Sequence, residues 1–291
     1  MEISRREFLK LVGVSAAALG LTLAEMGDLE KVLANPKAPS VLWLTGAGCS
    51  GCSVSFLNRI STDAPHTAGD VLIESINLAY HPTLMSATGN QAVDVLQKVY
   101  KEGNYILVIE GGVPTAFDGK SCIAWTYNGE QVTFKDAVIS LAKRASNVVC
   151  IGTCASFGGV TAAPPNPTGV KGVPAVIGTE TVNIPGCPPH PDWTVWAIVQ
   201  LLLNKPITKD VNGRPMEIYG ITVHRQCPRR GTDICLEDLG CKGKRTYANC
   251  PKIGWNNKVS WCIDANAPCQ GCTDPTYPMA GRSRMPRGGR N

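Results

Sequence analysis

The sequence predicts an α/β protein: a parallel sheet covered on both faces, followed by an irregular, cysteine-rich C-terminal region. Two observations carry this. From Val41 to about Leu203, short apolar runs rich in β-branched residues alternate with stretches of helical periodicity, as in successive βαβ units. Strands alternating with helices in this way indicate a parallel sheet covered on both faces. After Lys205-Pro206 the periodicity stops, and Gly, Pro, Lys, Arg and Cys take over.

Val41–Thr45 (VLWLT) has the length and branching of a buried strand. Glycines follow at 46, 48 and 51, and Cys49 and Cys52 sit on this loop as a C-x-x-C pair. A strand feeding such a loop gathers several backbone N–H groups in one concavity, which suits an anion. Gly46-x-Gly48-x-x-Gly51, with Glu74 ending the next apolar run, also matches a dinucleotide fingerprint. Two cysteines in the turn crowd a pyrophosphate, however, and that reading leaves the other eleven cysteines unexplained. Val71–Leu78 reads as a second strand and Thr88–Tyr100 as a helix with an apolar stripe. Tyr105–Glu110 is the third strand, ending in Gly111-Gly112. Asp136–Ala145 is a helix, Asn147–Gly152 the fourth strand, Val182–Ile184 a short fifth, and Asp192–Leu203 an amphipathic helix. In parallel sheets ligands bind beyond the carboxyl ends of the strands. The loops carrying Cys49/Cys52, Glu110, Cys154 and Cys187 each follow a strand, so they converge on one edge.

The chain has 291 residues, 44% hydrophobic and 18% charged, with a net charge of +5. No basic helix with interleaved aromatics accompanies that mild charge, so nucleic acid is not an expected partner. Residues 1–34 read as a twin-arginine export signal. Ser4-Arg5-Arg6-Glu7-Phe8-Leu9-Lys10 heads an apolar stretch, Leu11–Leu23, too short and too rich in Ala and Gly to span a bilayer, and Val32-Leu33-Ala34 is a small-residue cleavage site. The expected location is the periplasm, with export in the folded state and no transmembrane anchor. The expected domains are 35–205 and 206–291, with 280–291 a basic tail. The second domain has no evident core, and metal sites are the expected source of its stability.

Thirteen cysteines in an exported chain raise the possibility of a disulfide framework, but the number is odd and the spacings resemble those of metal ligands. Cys49, Cys52, Cys154 (in IGTCASFGG) and Cys187 (in IPGCPPHP) form one set at the sheet edge. Four thiolates there fit a [4Fe–4S] cluster. They also fit a structural zinc, which as a rule draws on two compact local pairs. His224-x-x-Cys227 with Cys235 and Cys241 is a second set. Taken alone it suits zinc as well as a cluster, and a neutral histidine raises a cluster's potential. Cys250-Pro251, Cys262 and Cys269-x-x-Cys272 form a third, with the Cys-Pro and C-x-x-C elements of ferredoxin-like loops. Eleven cysteines and one histidine thus make three sets of four. Cys150 lies inside a strand as a small buried hydrophobe, and Cys122 falls in none of the three sets.

Over essentially its whole length the chain resembles the small, iron–sulfur subunit of periplasmic nickel–iron hydrogenases. The resemblance is carried by the twin-arginine leader, GCSGC at 48–52, EGGVP at 110–114, GTCASFGG at 152–159, PGCPPHP at 185–191, the HxxC at 224–227, CLEDLGCKG at 235–243, NCPK at 249–252 and APCQGC at 267–272. It implies a flavodoxin-like first domain holding a proximal [4Fe–4S] cluster on Cys49, Cys52, Cys154 and Cys187. It implies a distal cluster on His224, Cys227, Cys235 and Cys241, and a medial cluster between the two. Many relatives hold a medial [3Fe–4S] cluster on three cysteines and a proline. Here Cys262 stands where the proline is expected, which is similar to the nickel–iron–selenium branch. The expectation is a medial [4Fe–4S] cluster on Cys250, Cys262, Cys269 and Cys272, or [3Fe–4S] if Cys262 points away. Oxygen-tolerant relatives add two cysteines at positions that are Gly51 and Gly159 here, so an ordinary proximal cluster is expected.

The implied activity is electron relay. The nickel–iron centre, where hydrogen is split or formed, would lie in an obligate large-subunit partner, and no residue of this chain would be catalytic. A multihaem cytochrome c is the implied acceptor. Around the distal motifs lie Arg225, Arg229, Arg230, Lys242, Lys244, Arg245 and Lys252, either a rim that steers an acidic partner or a solvated surface. Glu110 either bonds across the subunit interface or is a solvated loop carboxylate. Two competing functions remain. One is the proximal-cluster subunit of a quinone-reducing complex, which would lack the export signal and the cysteine-rich third. The other is a zinc- or disulfide-stabilised exported binding protein.

Overall fold

The apolar runs do form a sheet. A computed structural model describes residues 39–60, 66–72, 76–255 and 258–279; the expected export signal, Glu74 and the basic tail lie outside these. The strands are β1 (Ser40–Thr45), β2 (Asn77–Tyr80), β3 (Ile106–Glu110), β4 (Ile123–Tyr127), β5 (Glu130–Thr133), β6 (Asn147–Ile151) and β7 (Val182–Ile184). Five of them make one parallel sheet in the order β2-β1-β3-β6-β7. Taken as the first to fifth parallel strands, that is the flavodoxin-like order 2-1-3-4-5. The helices that matter below are α1 (Gly51–Leu57), α2 (Gly89–Glu102), α3 (Phe134–Ala142), α4 (Gly152–Phe157), α5 (Pro191–Leu202), α6 (Val223–Gln226) and α7 (Cys250–Ile253).

Strand side chains alternate between faces, and here both faces are buried. Val41 and Trp43, Ile106 and Val108, and Val149 and Ile151 point to one side, where Phe56 of α1 and Trp193, Ile198 and Val199 of α5 cover them. Leu42 and Leu44, Leu107 and Ile109, and Val148 and Cys150 point to the other, under Leu96 of α2 and Val138 and Leu141 of α3. Each such side chain, fully buried, contributes about 1.5–3 kcal/mol. Cys150 is a core residue as expected, with burial pushing its thiol up to about 12. Cys122 is half-buried at the rim of the same cluster.

Three elements differ from the sequence reading. Val71 does not begin a strand. Thr67 and Asp70 form a capping box, Asp70 N–H to Thr67 Oγ1 at 3.2 Å and Thr67 N–H to Asp70 Oδ2 at 2.9 Å, which starts a helical turn at Ala68. The strand forms later, at Asn77–Tyr80. Helix α3 begins at Phe134 because the Thr133 hydroxyl accepts from Asp136 N–H at 3.1 Å, so Asp136 belongs to the cap rather than the start. The β4–β5 hairpin is additional to the predicted elements. Its turn is Asn128-Gly129, both at positive φ, a standard hairpin signal, and it packs on α2 through Tyr127 Oη–H to Asp94 Oδ1 at 2.8 Å.

Beyond residue 205 regular structure is sparse, but a core is present, contrary to expectation. Ile218, Tyr219, Val223, Leu236, Ala248, Trp261 and Ile263 continue the cluster that begins under the sheet. Trp193 of α5 is its hinge. Its ring packs edge-on against Tyr219 and Trp255 with centroids 5.4 and 5.9 Å apart, and its Nε1–H donates to Asn249 Oδ1 at 2.9 Å. Trp193→Ala should cost about 3–5 kcal/mol and lower the thermal unfolding midpoint of both parts together. Separate melting of the two parts in that variant would refute a shared core.

Candidate iron–sulfur sites

Because β1, β3, β6 and β7 run parallel and in register, their carboxyl ends meet at one edge of the sheet. Cys49 and Cys52 follow β1, Cys154 lies in the first turn of α4 after β6, and Cys187 follows β7. The other three sulfurs of the set lie close enough to act on Cys52. Burial first, then the charges of Glu110, Cys154, Cys49 and Cys187, raise the Cys52 thiol; burial, then Cys154, raises that of Cys187, against a hydrogen bond from the Tyr277 hydroxyl. Gly152 has φ +86°, and a Cβ there would stand 2.4 Å from Cys52 Sγ. Only glycine leaves room for that sulfur. The donor chemistry fits an iron–sulfur cluster: soft sulfur donors, none of the thirteen cysteines paired in a disulfide. The glycines of the apparent dinucleotide motif serve packing instead. A Cβ at Gly46 would lie 2.1 Å from the Phe134 ring.

Glu110 closes the floor of this site. It is 2% exposed, so the solvated-loop reading is overturned, and its oxygens are committed within the chain rather than across an interface. Oε1 accepts from the N–H groups of Cys52 and Ser53 at 3.0 and 3.1 Å, and Oε2 accepts from Trp43 Nε1–H at 3.1 Å and from the Ser53 hydroxyl. The Ser53 hydroxyl also meets His81 Nε2 at 3.2 Å. Since His81 Nδ1 accepts from Thr83 N–H at 3.1 Å, Nε2 carries the ring proton and donates to Ser53. Burial pushes His81 down to about 4, so the ring is neutral at neutral pH.

The third set of cysteines also converges. Burial is the leading cause that raises the thiols of Cys250, Cys262, Cys269 and Cys272. Neighbouring thiolates add to it: Cys272, Cys269 and Cys262 act on Cys250, and Cys269 and Cys262 act on Cys272. Cys262 is exposed, and the neighbouring thiol that acts on it is Cys241 of the second set. The second set is looser. His224 and Cys235 line one 440 Å³ cleft with Arg230, Asp233, Glu237 and Asp238. His224 and Cys241 flank Gly243, whose added Cβ would lie 3.5 Å from His224 Cβ and 3.4 Å from Cys241 Sγ. Cys227 joins through its backbone, donating to His224 O at 3.2 Å. The basic rim expected here is interleaved with acids, and Lys244 is paired with Glu237. Among the described residues no three His, Cys, Asp or Glu side chains gather closely enough to share a single metal ion.

Residues 49–201 match the family described as NADH ubiquinone oxidoreductase, 20 Kd subunit. Residues 219–283 match the family described as the C-terminal part of the NiFe/NiFeSe hydrogenase small subunit. The periplasmic [NiFeSe] hydrogenase small subunit of Desulfomicrobium baculatum is 35% identical over 96% of this chain and 97% of its own length. The periplasmic [NiFe] hydrogenase small subunit of Solidesulfovibrio fructosivorans is 36% identical over 94% and 90%. A solved [NiFeSe] hydrogenase chain from Desulfovibrio vulgaris Hildenborough superposes with a TM-score of 0.77 at 37% identity, covering 84% of this chain and 96% of that one. The chain belongs to the NiFe/NiFeSe hydrogenase small-subunit family.

In this hydrogenase small subunit the quinone-complex reading reaches only as far as the first match. The second match covers the cysteine-rich third, which that reading leaves out. Trp43, Ser53 and His81, which hold Glu110, are not marked by anything in their local sequence pattern, because they meet only when β1, α1 and the turn after β2 are assembled.

Both Glu110 oxygens accept, so the isosteric Glu110→Gln variant must point an NH₂ at two donors. A stability loss of about 1–3 kcal/mol should follow, seen as a lower melting midpoint; an unchanged midpoint would mean that the carboxylate is not the anchor. The depressed His81 value also has a sign. In the unfolded chain the ring takes up its proton near 6.5, in the folded chain only near 4. The unfolded state therefore binds more protons between these values, and stability should fall as pH drops through that window. His81→Gln should flatten the fall, as measured by melting at stepped pH. An equally steep fall in the variant would assign it to other groups.

Proposed function

We propose that this chain is the electron-relay subunit of a hydrogenase whose hydrogen-activating centre lies in a separate large subunit. The observation that carries the reading is the convergence of Cys49, Cys52, Cys154 and Cys187 on a buried carboxylate at the sheet edge, in a chain of this family. Those four would hold the proximal [4Fe–4S] cluster. Cys250, Cys262, Cys269 and Cys272 would hold a medial [4Fe–4S] cluster, and His224, Cys227, Cys235 and Cys241 a distal one. Bound there, such clusters supply one-electron transfer with no group chemistry. The chain's own work is to bind, space and desolvate them. The functional parts are 35–205 and 206–291, built on one shared core.

An apolar rim supports the large-subunit partner. Val54 and Leu57 of α1, Ile60 beyond it, Phe117 after β3 and Val160 after α4 are exposed, and all follow strands of the proximal edge. An exposed apolar rim of this kind marks a protein interface. At the other end the charged residues around the His224 cleft would meet the acceptor, for which a multihaem cytochrome c is the family's example. The named relatives are periplasmic, and together with the twin-arginine motif this supports action in the periplasm. No helix among the described residues is long and apolar enough to cross a membrane.

Cryogenic EPR on the purified complex tests the assignment. The oxidised wild type should show no [3Fe–4S] signal, reduction should bring up interacting [4Fe–4S] signals, and Cys262→Ala should gain a [3Fe–4S] signal when oxidised. A stoichiometric [3Fe–4S] signal in the wild type would remove Cys262 from the medial site. A colourless, iron-free complex would overturn the relay reading.

A further inference from the structure

We propose that Thr153 is the positioning residue that fixes Cys272 of the medial set against the proximal loops, and so sets one-electron exchange between the two sites. This rests on the relay reading above. Thr153 directly precedes Cys154 and is 1% exposed. Its hydroxyl donates to the carbonyl of Cys272 and accepts from Gly186 N–H at 3.0 Å, while its own N–H donates to Gly186 O at 3.0 Å. One side chain thereby ties together the loop after β6, the loop after β7 that carries Cys187, and the C-terminal segment that carries Cys272.

Two further contacts lie in the same seam. Cys187 meets Cys272, and Tyr277 meets Cys187. From the far side the segment is held by Arg214 Nη1–H to Thr273 O at 3.1 Å and by Thr273 Oγ1–H to Tyr247 O at 2.8 Å. Cys272 is thus clamped from both sides, and the hydroxyl of Thr153 is the proximal jaw. A valine has nearly the same shape but neither donates nor accepts, so it would leave the Cys272 carbonyl and the Gly186 amide without these partners. The segment would then spend more time away from the proximal loops. In the step itself, one electron leaves a reduced proximal site and enters an oxidised medial one; no bond forms or breaks and no proton moves.

The test uses Thr153→Val and Thr153→Ser in the full heterodimeric complex. Three quantities are measured: iron content, the magnetic interaction between reduced proximal and medial sites by EPR, and the internal electron-transfer rate after pulse reduction. Thr153→Ser should match the wild type. Thr153→Val should keep its iron, lose part of the magnetic splitting and slow internal transfer roughly fivefold, the population change that one lost hydrogen bond produces. Loss of medial iron in Thr153→Val but not in Thr153→Ser would also support the hydroxyl's role. Unchanged splitting and rate in an iron-replete Thr153→Val would overturn the proposal, as would equal damage in both variants. A wild-type complex without iron at these sites would instead overturn the relay reading itself.

Discussion

The site depends on one buried carboxylate. Glu110 ends the central strand β3 and is hydrogen-bonded to an indole, a hydroxyl and two consecutive amides of the neighbouring loop. A carboxylate stripped of water is costly unless its lone pairs are used, and here Trp43 of β1 and the first turn of α1 supply the donors. That requirement fixes where α1 begins, and with it Cys52. Gly46 N–H to Glu110 O at 2.8 Å, and the paired bonds between Ala47 and Gly112 at 3.0 and 2.7 Å, extend the β1–β3 ladder past the strands and hold the Cys49 loop to the same floor. Negative charge on Glu110 opposes negative charge on Cys52. The amides that point at the carboxylate offset part of that repulsion, and the site keeps its shape in spite of it.

The fold is legible in the sequence because strand periodicity and ligand spacing are both local. Apolar runs at 41–44, 106–109 and 148–151 read as strands covered on both faces, and the loops after them then share an edge. The places where the reading fails are places where side-chain chemistry overrides pattern. Val71 looks like a strand start, yet the Thr67–Asp70 cap turns the chain into a helix. Asn128-Gly129 carries a hairpin signal, but it lies between weakly patterned strands that do not announce themselves. Glu110 admits two open readings because its sequence neighbours, glycines, give no hint of burial; its partners come from 43, 52 and 53.

The ligand sets are legible to different degrees for a related reason. In the proximal set each cysteine follows a strand, so topology alone brings them together. In the cysteine-rich third no periodic element dictates placement. Cys262 is readable only from the residue it replaces in a resembling family, and its orientation depends on the turn closed by Ala267 N–H to Cys262 O at 2.8 Å. Composition marks the basic rim without the acids that fold in beside it. Asp233, Glu237 and Asp238 share the His224 cleft with Arg230, so the field there is mixed, and specificity for an acceptor would rest on the pattern of charges rather than on net sign.

The two parts place their cysteines by different physics, and the second leans on the first. Strand register positions Cys49, Cys52, Cys154 and Cys187 with backbone precision. Cys250 opens the short helix α7, and Cys262, Cys269 and Cys272 sit in turns and loops, where backbone alone specifies little and side-chain clamps supply the missing constraint. Several of those clamps originate in the sheet domain. Trp193 holds Asn249, next to Cys250; Tyr219 Oη–H reaches Pro185 O at 2.8 Å, two residues before Cys187; Asn183 of β7 bonds Asn212 O at 2.7 Å and Gly213 O at 2.8 Å. With the aromatic core running continuously beneath, the cysteine-rich third packs onto the sheet domain. The spacing between the two sets of cysteines is then a property of that docking, set by the same contacts that stabilise it.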